Sequence, residues 1–240
     1  MTKTVTGFCF SILLGINYCS SQTVYGSMGL SKIPSAAIVD TGKALMGISY
    51  FTAPFSPDHT SPWNRNWSIS VSFGFHSRFD AGMRLFGSPT RRVDDSTYRY
   101  EYYIDRMFST KFVLAKESVY TPQIAIGIQD MVGTRLFNST YVVASKKRKW
   151  LNDLVATEVI LGYGTPVWDY LMGPSQAHAF KGLFGGIQLY LPLGMSLMTE
   201  YDGQYWTHSY LCEPTNWLKI KSFYSGLGSF SITQGVLTII

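Results

Sequence analysis

The sequence predicts an all-β fold: an antiparallel, up-and-down transmembrane β-barrel of about ten to twelve strands. Three observations carry that prediction. Side chains alternate apolar and polar with period two along most of the chain. Long and short connections between the alternating runs follow one another in phase. The composition fits a wall with one apolar and one polar face: of 240 residues, 15% are charged and 15% aromatic, with 22 Gly. A soluble domain usually carries about a quarter charged residues. No linker or shift in composition divides the chain, so it reads as one domain.

At the N-terminus, Lys3 precedes an uncharged apolar run from Val5 to Tyr18, then Ser20 and Ser21 ahead of Gln22. This is the pattern of a secretory signal peptide, residues 1–21, which leaves 22–240 as the barrel domain. The run falls short of the roughly 20 apolar residues of a spanning helix. Cys19 is the alternative, as a lipidated first residue, but Asn17 and Tyr18 stand where a lipobox wants small side chains. With Cys9 and Cys19 in or beside that segment, Cys212 is left without an internal disulfide partner. Near the other end, the uncharged Ser222–Ile240 stretch is long enough for a helix. Its Ser, Gly, Thr and Gln content and its alternation suit a strand instead.

The strands follow in order. Ala44–Thr52 opens the series. In the next, Trp67, Ile69, Val71, Phe73 and Phe75 point one way and Ser68, Ser70, Ser72, Gly74 and His76 the other. After a tight connection, Phe79, Ala81, Met83 and Leu85 oppose Asp80, Gly82, Arg84 and Phe86, which makes a hairpin. Ile69, Val71, Phe73, Met83 and Leu85 are expected to meet lipid, and Ser70, Ser72, Asp80 and Arg84 the lumen. Further runs cover Tyr103–Leu114, Gln123–Gln129, Asn138–Ser145, Val155–Gly164, Gly182–Leu191, Ser196–Asp202, Trp217–Phe223 and Phe230–Thr238. The connections Pro54–Asn64, Gly87–Tyr102, Thr165–Lys181 and Gly203–Asn216 read as long external loops; those near Ser77, Lys147, Pro192 and Ser225 read as short periplasmic turns. Eleven strands result, whereas bacterial single-chain barrels have an even number. The expectation is therefore a barrel lacking its last strand, with the C-terminus outside the cell. The even alternatives are ten, through an overcount in Tyr205–Lys221, or twelve, through a first strand in Thr23–Leu30.

Seven segments in order resemble the YjbH-like outer-membrane proteins associated with exopolysaccharide and capsule export. They are GLSKIPSA (Gly29–Ala36), the Trp67 strand, DRMFSTKF (Asp105–Phe112), GIQDMVGTRLFNSTYVVASKK (Gly127–Lys147), LGYGTP (Leu161–Pro166), KGLFGGI (Lys181–Ile187) and EYDG (Glu200–Gly203). The resemblance spans nearly the whole mature chain and departs after EYDG, where Tyr205–Pro214 fits poorly. It implies a barrel in the bacterial outer membrane that assists polysaccharide production or export as a conduit or scaffold. Its implied partners are membrane lipid, polysaccharide and other export-machinery proteins. It brings no catalytic residues, and many family members are much longer.

The residues offer little enzyme chemistry. There is no HExxH, CxxC, phosphate-binding loop or GxSxG elbow, and no cofactor is expected. An outer-membrane hydrolase acting on lipid or glycan would need a nucleophile beside a base, and His76 with Ser70 or Ser72 is the local candidate. A secreted carbohydrate-binding β-protein is the third reading. Glu200 and Asp202 resemble a paired-carboxylate spacing but read as part of a lumen ion network with Arg84 or Lys111. Asp130 and Arg135, with Gly133 easing the backbone, are placed at the external rim. The net charge of +5 is dispersed apart from Lys146–Lys149, which argues against nucleic acid. That basic run is placed at a periplasmic turn, where it is solvated or meets an acidic partner. Trp63, Trp67, Trp150, Trp168, Trp206 and Trp217 fall near strand ends, as aromatic girdles do.

Overall fold

A computed structural model describes residues 21–52, 65–94, 97–133, 135, 137–165, 167, 169, 179–226 and 235–239. Apart from Ser21, the expected signal peptide lies outside the described residues. In chain order the strands are β1 (Ser21–Gln22), β2 (Met28–Gly29), β3 (Ala44–Thr52), β4 (Arg65–His76), β5 (Phe79–Asp94), β6 (Thr97–Ala115) and β7 (Gln123–Gly133). They continue with β8 (Ser139–Trp150), β9 (Val155–Thr165), β10 (Gly182–Leu191), β11 (Met195–Tyr201), β12 (Trp206–Thr215), β13 (Leu218–Gly226) and β14 (Gly235–Ile239). Each strand from β3 to β14 pairs antiparallel with its sequence neighbours. β14 returns to β3, from Gly235 opposite Tyr50 to Ile239 opposite Met46. The twelve strands close into a barrel.

This pairing overturns the expectation of a missing last strand. The uncounted strand is β12, inside the stretch read as a long loop from Gly203 to Asn216. Only Asp202–Tyr205 separate β11 from β12, and Asn216–Trp217 separate β12 from β13. Pro214 hid the strand, because proline reads as a loop signal. Here it sits where the β12–β13 register shifts between Cys212 and Thr215, a bulge that tolerates the missing N–H. The added strand reverses the direction of everything after it, so β14 ends at the short-turn end and not outside. Gly87–Tyr102 is likewise largely strand, since β5 and β6 stay paired from Phe79 opposite Phe112 out to Asp94 opposite Thr97. The twelfth strand does not come from Thr23–Leu30. The two-residue strands β1 and β2 pair with each other in a separate ribbon.

The wall sorts its side chains as the alternation expects. On β4, Ser68, Ser70 and Ser72 are buried while Phe73 and Phe75 are exposed; on β5, Asp80 and Arg84 are buried and Met83 is exposed. The same division continues around the barrel: Phe112, Val142, Leu161, Leu183, Ile187, Leu197 and Ile220 lie outward and exposed. In a soluble barrel the apolar set would point inward. Three tryptophans near strand ends are exposed, Trp150 and Trp217 at the short-turn end and Trp206 at the other. Trp63 and Trp168 lie outside the described residues. No helix among the described residues is long and apolar enough to cross a membrane.

Candidate functional site: an occupied lumen

The barrel is filled by its own chain. Every residue from Ser21 to Ala36 is buried, including Thr23–Leu30, the alternative first wall strand. Val24, Tyr25, Leu30, Ile33 and Ala36 form one apolar cluster with the inward wall residues Phe86, Phe184 and Met198 and with Phe137 and Phe180 from the connections between strands. Tyr25 lies at 5.6 Å from both the Phe137 and the Phe180 ring centroids. Burial pushes its hydroxyl pKa up, and the charges of Asp202 and Glu200 add to the shift against Arg84, so the phenol stays neutral.

The wall holds this segment chiefly by its main chain. Glu200, on β11, accepts from the N–H groups of Ser31 at 3.2 Å, Lys32 at 2.8 Å and Ile33 at 3.2 Å. Lys111, on β6, donates to the carbonyls of Met28 at 3.0 Å, Ser35 at 3.0 Å and Ala37 at 2.7 Å. Lys221, on β13, donates to the carbonyls of Gln22 and Leu30. Gln123 on β7 donates to Ala36 O at 2.7 Å, and Ser72 on β4 to Gly26 O at 2.7 Å. Asp80 accepts from Val39 N at 3.0 Å as the segment leaves the lumen. A β-segment with so few ladder bonds of its own must satisfy its buried polar groups this way.

The expected site residues fall into three groups. Glu200 and Asp202 are lumenal, but their direct partners are not Arg84 or Lys111. Glu200 binds the plug backbone, and Asp202 pairs with Lys32 of the plug at 2.7 Å. Arg84 is buried under aromatic rings, with its guanidinium 5.3 Å from Tyr25, 5.0 Å from Phe86 and 5.4 Å from Phe137. Asp130 is fully buried and accepts from Phe137 N at 2.8 Å, closing a turn toward β8. Arg135 is half-buried in that turn, and the left-handed backbone there falls on Asp130 (φ 52°) and Arg135 (φ 59°), not on the glycine singled out to relieve it. The basic run lies along the end of β8, where Lys146 pairs with Glu117 at 3.2 Å and Lys147 with Glu158 at 3.4 Å.

The hydrolase candidate is not assembled. His76 is exposed at the barrel end, while the hydroxyls of Ser70 and Ser72 point inward to Gln22 and Gly26. Sequence reasoning missed the plug and its clamps Lys221 and Gln123, and it placed Lys111 in the lumen as a partner for carboxylates, not for the plug's carbonyls. One available signal was the loss of alternation between Thr23 and Lys43 with Pro34 in its midst, which no wall strand would show.

The family model for "Exopolysaccharide biosynthesis protein YbjH" matches residues 21–222, from the start of β1 through most of β13. The chain belongs to this family. A relative described as "Uncharacterized lipoprotein YjbH", from Escherichia coli (strain K12), is 29% identical over 220 residues. That match covers 76% of this chain and 28% of the relative, so the chain spans a little over a quarter of the relative's length. The family match includes the plug as well as the wall, so the lumen segment belongs to the shared domain.

Proposed function

We propose that this chain is an outer-membrane β-barrel that assists exopolysaccharide or capsule production or export as a non-enzymatic conduit or scaffold. The observation that carries this reading is a closed wall whose outward face is apolar and whose buried serines, acids and lysines all point inward, beside an apolar patch that packs the plug. Lipid supplies no hydrogen bonds to an open sheet edge, so a spanning sheet must close, and its outer surface must be apolar. Exposed tryptophans at both rims support placement across a bilayer. The family's description supports exopolysaccharide as the context, with membrane lipid, the polymer and export proteins as partners. The test is deletion of the gene with extracellular polysaccharide measured against a complemented strain; unchanged polysaccharide overturns the role. Fractionation provides the location, with recovery in the outer membrane expected and recovery as a soluble protein contrary to the reading. Topology is read from Leu151→Cys, in the exposed turn between β8 and β9. An impermeant thiol reagent should label it only after the outer membrane is permeabilised.

The relative's description as a lipoprotein favours a second reading at the N-terminus, with Cys19 as a lipidated first residue. Incorporation of labelled palmitate that disappears in Cys19→Ser would establish it, and absence of label in the parent chain would return the assignment to cleavage after Ser21.

A further inference from the structure

We propose that Gln22–Ala36 is a releasable plug, and that the wall groups now clamping its main chain become the binding path for a hydroxyl-rich polymer when it leaves. This rests on the outer-membrane reading above and decides between conduit and scaffold in favour of a gated conduit.

Four observations carry it. First, three of the clamps hold the plug by its main chain. Lys111 and Lys221 meet carbonyl oxygens, and Glu200 meets N–H groups. A sugar chain offers the same kind of dense, repeating donors and acceptors through its hydroxyls. Second, the wall also carries buried ionic contacts within itself: Glu158 accepts from Tyr190 Oη at 2.6 Å and pairs with Lys147 at 3.4 Å, and Lys219 lies 3.8 Å from Glu213. Replacing such pairs by well-packed apolar side chains is commonly neutral or stabilising, so stability alone does not select them. Third, with the plug in place the side-chain amides of Asn66 and Gln129, and Asp130 Oδ1, are buried without a hydrogen-bond partner among the described residues. Such groups are normally satisfied in folded proteins, and release of the plug admits water or ligand hydroxyls to them. Fourth, the plug leaves the lumen at the short-turn end through a glycine turn. The chain is half-buried at Ala37–Ile38, buried at Val39 and exposed from Asp40 to Lys43, with Gly42 at φ 77° hydrogen-bonded to Gly74 O before β3 begins. Rotation at this hinge carries the segment out through the short-turn end.

The test locks the plug in place. Ser31 Oγ on the plug and Ser209 Oγ on β12 lie 2.6 Å apart, close enough for a disulfide in the double variant Ser31→Cys, Ser209→Cys. The background is the full chain with Cys9, Cys19 and Cys212 changed to Ser, refolded into planar phospholipid bilayers. Reduced protein is expected to show conductance openings, oxidised protein at least tenfold fewer, and dithiothreitol is expected to restore them. A second variant, Glu200→Gln with Lys221→Met and no introduced cysteines, loosens two clamps and should open several-fold more often. A short linear dextran is the probe for the path, and it should block current through the reduced protein. Equal currents from oxidised and reduced protein, or no openings even in the loosened variant, overturn the releasable plug. Openings that dextran never blocks overturn the polymer path. A chain that fails to enter bilayers at all overturns the outer-membrane reading and this inference with it. One that inserts but ignores the cross-link overturns only the plug.

Discussion

The two faces of the barrel wall follow opposite rules. On the outward face of β4 and β5, Ile69, Val71, Phe73 and Met83 present apolar surface that any hydrocarbon can cover, and their neighbours impose little shape. On the inward face, Ser68, Ser70, Ser72 and Arg84 meet a particular segment of the same chain at hydrogen-bonding or ring-packing distance. The outer face therefore selects for polarity and tolerates changes of size, whereas the inner face tolerates polarity and selects for size. An empty polar pore would have accepted large polar side chains on its inner face. With the plug present, Ser72→Arg is a steric insult as much as Val71→Arg is an electrostatic one.

The contrast can be broken at its strongest point first. Glu200→Ala strips three plug N–H groups of their acceptor and leaves buried lysines less balanced, a loss on the scale of about 3–5 kcal/mol for breaking a buried charge network. Urea unfolding of the refolded barrel reads it as a lower midpoint, and a loss under about 1 kcal/mol would mean that the plug adds little stability. Next is Val71→Arg, where charge on the proposed lipid face should cost about 2–4 kcal/mol near mid-bilayer. Equal stability of this variant and Ser77→Arg, in the exposed turn between β4 and β5, would dissolve the distinction between the faces. Gly47→Ala sharpens the size rule. A Cβ there would crowd Gln22 Oε1 and stand 2.8 Å from Ser70 Oγ; both are side-chain ends that can shift, so overpacking should cost about 1 kcal/mol, the low end of its usual range. The same measurement on a variant lacking the Gln22 side chain, Gln22→Gly, should recover part of that loss. The smallest effect belongs to Lys149→Ala, which removes an exposed pair with Asp153 at 3.0 Å and should shift stability by less than about 0.5 kcal/mol.

The wall was legible in the sequence because its rule is local. Trp67 to His76 can be sorted into two faces from ten adjacent letters, and the structure keeps that sorting. What escaped notice had one of two physical causes. β12 was obscured by Pro214 and by mixed signs on its faces, since His208 lies outward beside Trp206 and Tyr210 while Leu211 lies inward. The paired extension of β5 and β6 rises where strict alternation is absent, and its Gly, Pro and charged residues resembled a loop. The lumen was illegible for a different reason. Its contacts join positions 169 residues apart at Ser31 and Glu200 and 199 apart at Gln22 and Lys221, and no periodicity records such a pairing. Glu200, Asp202, Arg84 and Asp130 were recognisable as inward polar groups, but their partners lay in a segment that the signal peptide boundary had made easy to read as the start of a strand.

An even number of wall strands returns the polypeptide to the side from which it set out. The first residues of β3 and the end of β14 lie at one rim, so the wall begins and ends on the same side. A domain with this property behaves as a cassette: it can be copied, fused or set in tandem along a longer gene without inverting the orientation of whatever follows. Beside an E. coli relative more than three times as long as the matched portion, that parity means that chain added after β14 starts from the side on which the wall began.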